Sequence, residues 1–164
     1  MKIDTEHSNG NPFYEGLITK DTLAVLPVYH EWYQARIIDR FKADVYLTET
    51  PSKVIDLACL YWMSSPSAMR RSINVLLNCH KKLPVAIQPE LNIFACPTAS
   101  PEQFGCMWIF PWHIADKGGD KSSSYVIFHN GTRIDLPVSF YVLQKQIQRT
   151  CEIMVRYMSS INER

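Results

Sequence analysis

From residue 139 to 162 apolar side chains return every third or fourth position. Phe140, Leu143, Ile147, Cys151, Met154 and Met158 step by 3, 4, 4, 3 and 4, the period of one helix face. Ser139 stands where an N-cap belongs. A helix of this length with a single apolar stripe must lie on something, and the rest of the chain says what. Most of it reads as short strands.

Residues 22–28 (TLAVLPV), 34–40 and 44–48 form three strand candidates, with Pro27 marking an end or an edge and Lys42-Ala43 a turn. Residues 84–88 and 91–96 read as a hairpin around Pro89-Glu90. Residues 106–114 (CMWIFPWHI) read as a buried strand bent at Pro111. Residues 116–124 (DKGGDKSSS) read as a polar loop. Residues 125–129 and 132–136 flank Asn130-Gly131, a hairpin signal in which both turn positions take positive φ.

Between the two groups of strands sits a helix pair. Thr50 caps the first helix, Pro51 takes its first position, and Val54, Ile55, Ala58, Cys59 and Trp62 share a face. Ser65 and Pro66 open the second, with Met69, Ile73, Leu76 and Leu77 as its inner stripe. The fold class expected is α+β: a largely antiparallel β core with a central helix pair and a long C-terminal helix. Residues 1–12 read as a flexible leader and 13–164 as a single domain, which 164 residues at 46% hydrophobic content can fill with a core.

Charge is mixed everywhere except in one segment. No acidic residue lies between Asp56 and Glu90, while Arg70-Arg71 and Lys81-Lys82 do. Two arginines about one turn into a helix, flanked by the hydroxyls of Ser64 and Ser65, suit phosphate. Lys145 and Arg149 on the last helix, in line with Glu152 and Arg156, offer a second basic face. Faces of this kind are ordinarily just solvated. With a net charge of +1 the protein is no polycation, and any nucleic-acid binding must come from such local patches.

Other chemistries find little. The five cysteines are odd in number and lack C-x-x-C spacing, which fits reduced thiols in the cytoplasm. No metal-ligand spacing, cofactor motif or catalytic motif is present. Cys106 and His113, placed on one extended strand, would stand roughly 20 Å or more apart at about 3.3 Å per residue. No catalytic residue, metal or cofactor is expected. No apolar run has the length of a membrane span, and the first twelve residues lack the apolar core of a signal peptide.

The order of local motifs resembles the competence transcription factor (ComK) family of Gram-positive bacteria. It is carried by Leu23-Ala24-Val25-Leu26-Pro27, Cys59, Ser64-Ser65, Arg70-Arg71 and His80-Lys81-Lys82-Leu83-Pro84. It continues through Ile93-Phe94, Pro97-Thr98, Cys106-Met107-Trp108-Ile109, Asn130-Gly131, Leu136-Pro137-Val138-Ser139, Gln146, Arg149 and Thr150. The resemblance implies a cytoplasmic, DNA-binding activator of competence genes, not an enzyme. It would read paired A/T-rich boxes of double-stranded DNA through the minor groove, as a dimer or tetramer, with RNA polymerase as a further partner.

The residues implied are Arg70 and Arg71 first, then Lys81, Lys82, Lys145 and Arg149 on the backbone, with Ser64 and Ser65 beside them. Met63 and Met69 stand where the family pattern has glycine. Longer members carry a tail linked to regulated proteolysis, and a chain ending at Arg164 is expected to lack that control. The closing strand–Asn-Gly–strand unit is also faintly similar to LytTR-type β DNA-binding domains. Two alternatives remain beside this reading: a protein–protein adaptor with an exposed patch around Trp108, Phe110 and Trp112, and a small hydrolase using Cys106 or His113.

Overall fold

The computed structural model describes residues 16–64 and 66–163, and of residues 66–70 the backbone only. The leader expected at 1–12 and Ser65 lie outside the described residues. The chain is α+β, with nine strands and three α-helices among the described residues.

The first three strands are β1 (Thr22–Pro27), β2 (Ala35–Asp39) and β3 (Val45–Leu47), an antiparallel meander. A bulge between Thr22 and Ala24 turns Leu23 and Ala24 into the same apolar cluster, which strict alternation would forbid. Helix α1 (Pro51–Tyr61) starts as expected: the Thr50 hydroxyl accepts from the Lys53 N–H at 3.3 Å and Pro51 takes the first turn. Val54, Ile55, Ala58 and Cys59 are buried, and Trp62 donates from Nε1 to the Ile18 carbonyl at 3.1 Å.

The end of α1 is a Schellman motif. Met63 N–H donates to Leu60 O at 3.0 Å and Ser64 N–H to Cys59 O at 2.8 Å. Met63 supplies the left-handed residue at φ 58°, a place that favours glycine. Helix α2 (Pro66–Leu77) follows at once.

β4 (Val85–Gln88) and β5 (Ile93–Pro97) then form the expected hairpin over Pro89-Glu90. The long strand read at 106–114 is shorter than its composition suggests. Trp108–Ile109 pairs, as β6, Pro111–His113 coils into a 3-10 turn, and Ile114 already belongs to the next strand. Pro111 has no N–H to give a ladder, so the strand stops there.

The polar stretch at 116–124 is largely strand instead of loop. β7 (Ile114–Gly119) pairs along β8 (Ser124–Phe128), and β9 (Arg133–Leu136) pairs with β8. Asp120 closes the β7–β8 turn by accepting from the Ser122 and Ser123 N–H groups, which hold its carboxyl below the usual carboxylate range. At Asn130-Gly131 the hairpin forms with a different turn. Gly131 N–H donates to Phe128 O at 2.9 Å and only Gly131 has positive φ, 87°. That is a three-residue loop with a left-handed glycine.

The strands make a six-stranded sheet in the order β3-β2-β1-β6-β5-β4 and a three-stranded sheet β7-β8-β9. α1 covers one face of the larger sheet, packing on Val25, Ile37, Ile87, Ala95 and Trp108. The other face meets the smaller sheet through Val126, Phe128, Ile134 and Leu136.

The last helix, α3 (Phe140–Asn162), is capped by Ser139, whose hydroxyl accepts from the Val142 N–H at 3.2 Å. Leu143 joins the second face's cluster, and Ile153 and Met154 pack with Ile73 of α2 and with Ala86 and Phe94. The buried line is Leu143, Gln146, Thr150, Ile153 and Met154. It differs from the apolar stripe of the sequence: Cys151 and Met158 are exposed.

Candidate nucleic-acid interface

Gln146 points into the protein from α3 and is only 2% exposed. A buried amide must find partners for its hydrogens. Its Nε2 donates to the Lys82 carbonyl at 2.8 Å and to the Pro97 carbonyl at 2.6 Å. Its Oε1 accepts from Arg149 Nη1 at 3.0 Å. One side chain thus ties the 78–84 connection to β5 and fixes the direction of a guanidinium on α3.

The connection needs that tie. Asn78 and Lys82 both hold left-handed backbone, at φ 47° and 53°, which disfavours side chains with a Cβ by about 1–2 kcal/mol each. The Cys79 thiol donates to the Lys81 carbonyl at 3.3 Å. Lys81 is exposed and Lys82 half-buried. Lys82 lines a cleft of about 370 Å³ with His80, Lys81, Ser100, Glu102 and Trp108.

Helix α2 leads into this turn and packs beside α3 through Ile73 and Leu77. Arg71 is exposed on it. Arg70 is in the same helix, and its side chain lies outside the described residues. Lys145 stands one turn before Arg149, with Nζ 5.2 Å from the centre of the Tyr141 ring. Ion pairs among the described residues join Arg36 to Asp44, Arg40 to Asp21, Arg133 to Asp135 and Arg156 to Glu152. None of them uses Arg71, Lys81, Lys82, Lys145 or Arg149. The structure therefore brings α2, the Lys81-Lys82 turn and the Arg149 flank of α3 together, with Lys145 at the margin.

Ser64 is engaged otherwise. Its hydroxyl donates to the Cys59 carbonyl at 2.9 Å, so it closes α1. Neither the charge pattern nor a catalytic motif marks Gln146 as a site residue. The signal that finds it is a glutamine on the inner side of an amphipathic helix.

The features named for the two alternatives are placed differently. Trp108 and Phe110 are buried, and only Trp112 of that trio is exposed. The Cys106 thiol faces the Ala99 carbonyl at 3.5 Å and burial pushes its pKa up. His113 Nε2 contacts the Lys20 carbonyl at 2.6 Å, and burial holds its pKa below the usual imidazole range. Each group has its own backbone partner. Among the described residues no cluster of His, Cys, Asp or Glu could hold a metal ion, and no helix is long and apolar enough to cross a membrane.

The sequence profile of the ComK protein family matches residues 13–162. The chain belongs to the ComK family. This ComK-family chain is also similar to the competence transcription factor of Bacillus subtilis (strain 168), at 26% identity over 144 residues, 87% of this chain and 75% of that protein. No solved structure matches it.

Proposed function

We propose that this ComK-family protein is a cytoplasmic competence transcription activator whose residues 13–164 act as one DNA-binding domain. Its DNA face is α2 with Arg70 and Arg71, the Lys81-Lys82 turn and Arg149, with Lys145 at the edge. It reads paired A/T-rich boxes through the minor groove as an oligomer and engages RNA polymerase when bound. The observation that carries this reading is the Gln146 amide, which holds the Lys82 turn and the Arg149 guanidinium in one rigid arrangement. Pre-positioned cations lose less side-chain freedom on meeting phosphate than free ones. A narrow A/T minor groove is strongly negative and favours inserted arginine. Its readout distinguishes A·T from G·C with few contacts, so a protein with a net charge of +1 can manage it as an oligomer.

The test is fluorescence anisotropy on a duplex with two A/T boxes against a G/C-rich control, at several salt concentrations. Wild-type protein is expected to prefer the A/T duplex. Each of Arg71→Ala, Lys82→Ala and Arg149→Ala is expected to weaken binding and flatten the log–log salt slope by about 0.9 per phosphate lost. Binding that none of the three variants changes would overturn the placement of the face, and equal or absent binding to both duplexes would overturn the reading itself.

A further inference from the structure

Helix α3 carries exposed apolar side chains beside the line that the core covers. The stripe of the sequence and the buried line are turned about 70° apart at 3.6 residues per turn. The rotation leaves Cys151 exposed, with Val155 62% and Met158 40% exposed beyond it and Tyr141 65% exposed before it. Gln144 and Gln148, also exposed, fill the gaps. Residues 141, 144, 148, 151, 155 and 158 step by 3, 4, 3, 4 and 3, which is the a/d spacing of a helix-pairing seam.

We propose that this seam takes α3 of a second copy of the chain, running antiparallel, in a two-fold symmetric dimer. The charges beside the seam select that occupant. Lys145 and Glu152 flank it on one side, both exposed, and Glu152 already holds Arg156 at 3.0 Å within its own helix. Antiparallel pairing about a point between residues 149 and 150 sets Gln148 against Cys151, Gln144 against Val155 and Tyr141 against Met158 of the other copy. The same register places Lys145 of each copy about 3 Å along the axis from Glu152 of the other, so two opposite-charge pairs form by symmetry. A parallel two-fold pair would carry the flank of one copy to the opposite side of the seam, so Lys145 of one copy would not meet Glu152 of the other.

Two-fold interfaces are self-complementary in this way. Arg149 lies about 160° around the helix from Cys151, so a partner on the seam leaves the Gln146–Arg149 flank open. The inference gives the oligomer of the proposed function its surface and rests on that part of the reading alone. Measurements without DNA keep its failure distinct from failure of DNA recognition.

The test is sedimentation velocity of the full chain over a range of micromolar concentrations. Wild type is expected to form a dimer. Val155→Lys, at an exposed position, is expected to give a monomer with an unchanged circular-dichroism spectrum. Lys145→Glu and Glu152→Lys are each expected to shift the equilibrium toward monomer, and the double reversal K145E/E152K to restore the dimer. A wild type that stays monomeric, a dimer indifferent to Val155→Lys, or single reversals without effect would each overturn the proposal. Loss in both single reversals without recovery in the double would overturn the antiparallel register.

Discussion

Replacing Gln146 by leucine removes a donor from two carbonyls at once. The Pro97 carbonyl is buried and loses a 2.6 Å hydrogen bond, while the Lys82 carbonyl, nearer the surface, loses one of 2.8 Å. An unsatisfied buried group costs about 1–3 kcal/mol. The Lys82 carbonyl can reach water, so the sum falls near 2–4 kcal/mol rather than twice the upper figure. For a chain of this length each kcal/mol moves the midpoint by about 2–4 °C, so Gln146→Leu is expected to lower Tm by about 4–16 °C. The assay is a circular-dichroism melt, with hydrogen exchange at Lys82 and Leu83 as a local readout. Exchange there should rise more than at β5, because the left-handed Lys82 loses the contact that holds it. Arg149→Ala, which deletes only a half-buried guanidinium at the acceptor side, is the control and is expected to change Tm far less. A Gln146→Leu melt within about 1 °C of wild type would show that both carbonyls find other donors, and would refute the claim that this amide fixes the turn.

Other expectations can be checked on the same preparations. Met63→Gly relieves a left-handed residue worth about 1–2 kcal/mol, against about 0.5–1 kcal/mol of extra chain entropy in the unfolded state. Met63 is 92% exposed and gives up little packing, so the variant is expected to melt slightly higher, and a lower Tm would contradict the strain argument. His113 titrates in the unfolded chain near 6.5, while its folded value is lower. The unfolded state therefore binds more protons in the window below 6.5, so stability is full above it and declines as pH falls. Melts of wild type and His113→Gln from neutral to mildly acidic pH should converge if that histidine is the source. Burial pushes the Cys96 thiol up to about 12 and raises Cys106, whereas Cys151 is exposed. Alkylation of native protein followed by peptide mass spectrometry should mark Cys151 first and leave Cys96 and Cys106 intact. Early labelling of Cys96 would count against the packing of α3 on β5.

Much of the fold could be read because it depends on local chemistry. The caps at Thr50 and Ser139, the prolines at 51 and 89 and the short strand-forming runs at 22–28, 34–40 and 44–48 act within a few residues. The misreadings occur where a distant partner decides. Asp116, Lys117, Gly118 and Gly119 carry no apolar signal, and they are a strand because β8 offers a backbone ladder. Asn130-Gly131 marks a hairpin correctly, and the hydrogen bond from Phe128 N–H to the Thr132 carbonyl leaves three loop residues between them. The basic residues stood out as a run without acids, but the run could not show that Lys82 and Arg149 share an amide. That link crosses from a turn to a helix 64 positions later. The rotated burial of α3 was hidden for the same reason: Gln146 and Thr150 are polar, and they turn inward because Pro97, Lys82 and Cys96 await them.

The two-residue strand β6 sits in the middle of the six-stranded sheet, pairing Ala24 and Val25 on one side with Cys96 and Pro97 on the other. Its position governs the order of assembly. β1, β2 and β3 are synthesised early, but β1 keeps an open edge, with Leu23 to Leu26 all destined for the core, until Trp108 and Ile109 arrive. Such distant pairing makes folding slow compared with helical domains. It also leaves a sticky half-sheet exposed in the meantime. A nascent or truncated chain ending before Trp108 therefore holds a meander with nothing to close it, and this protein's hazard lies in the interval before its shortest strand is in place.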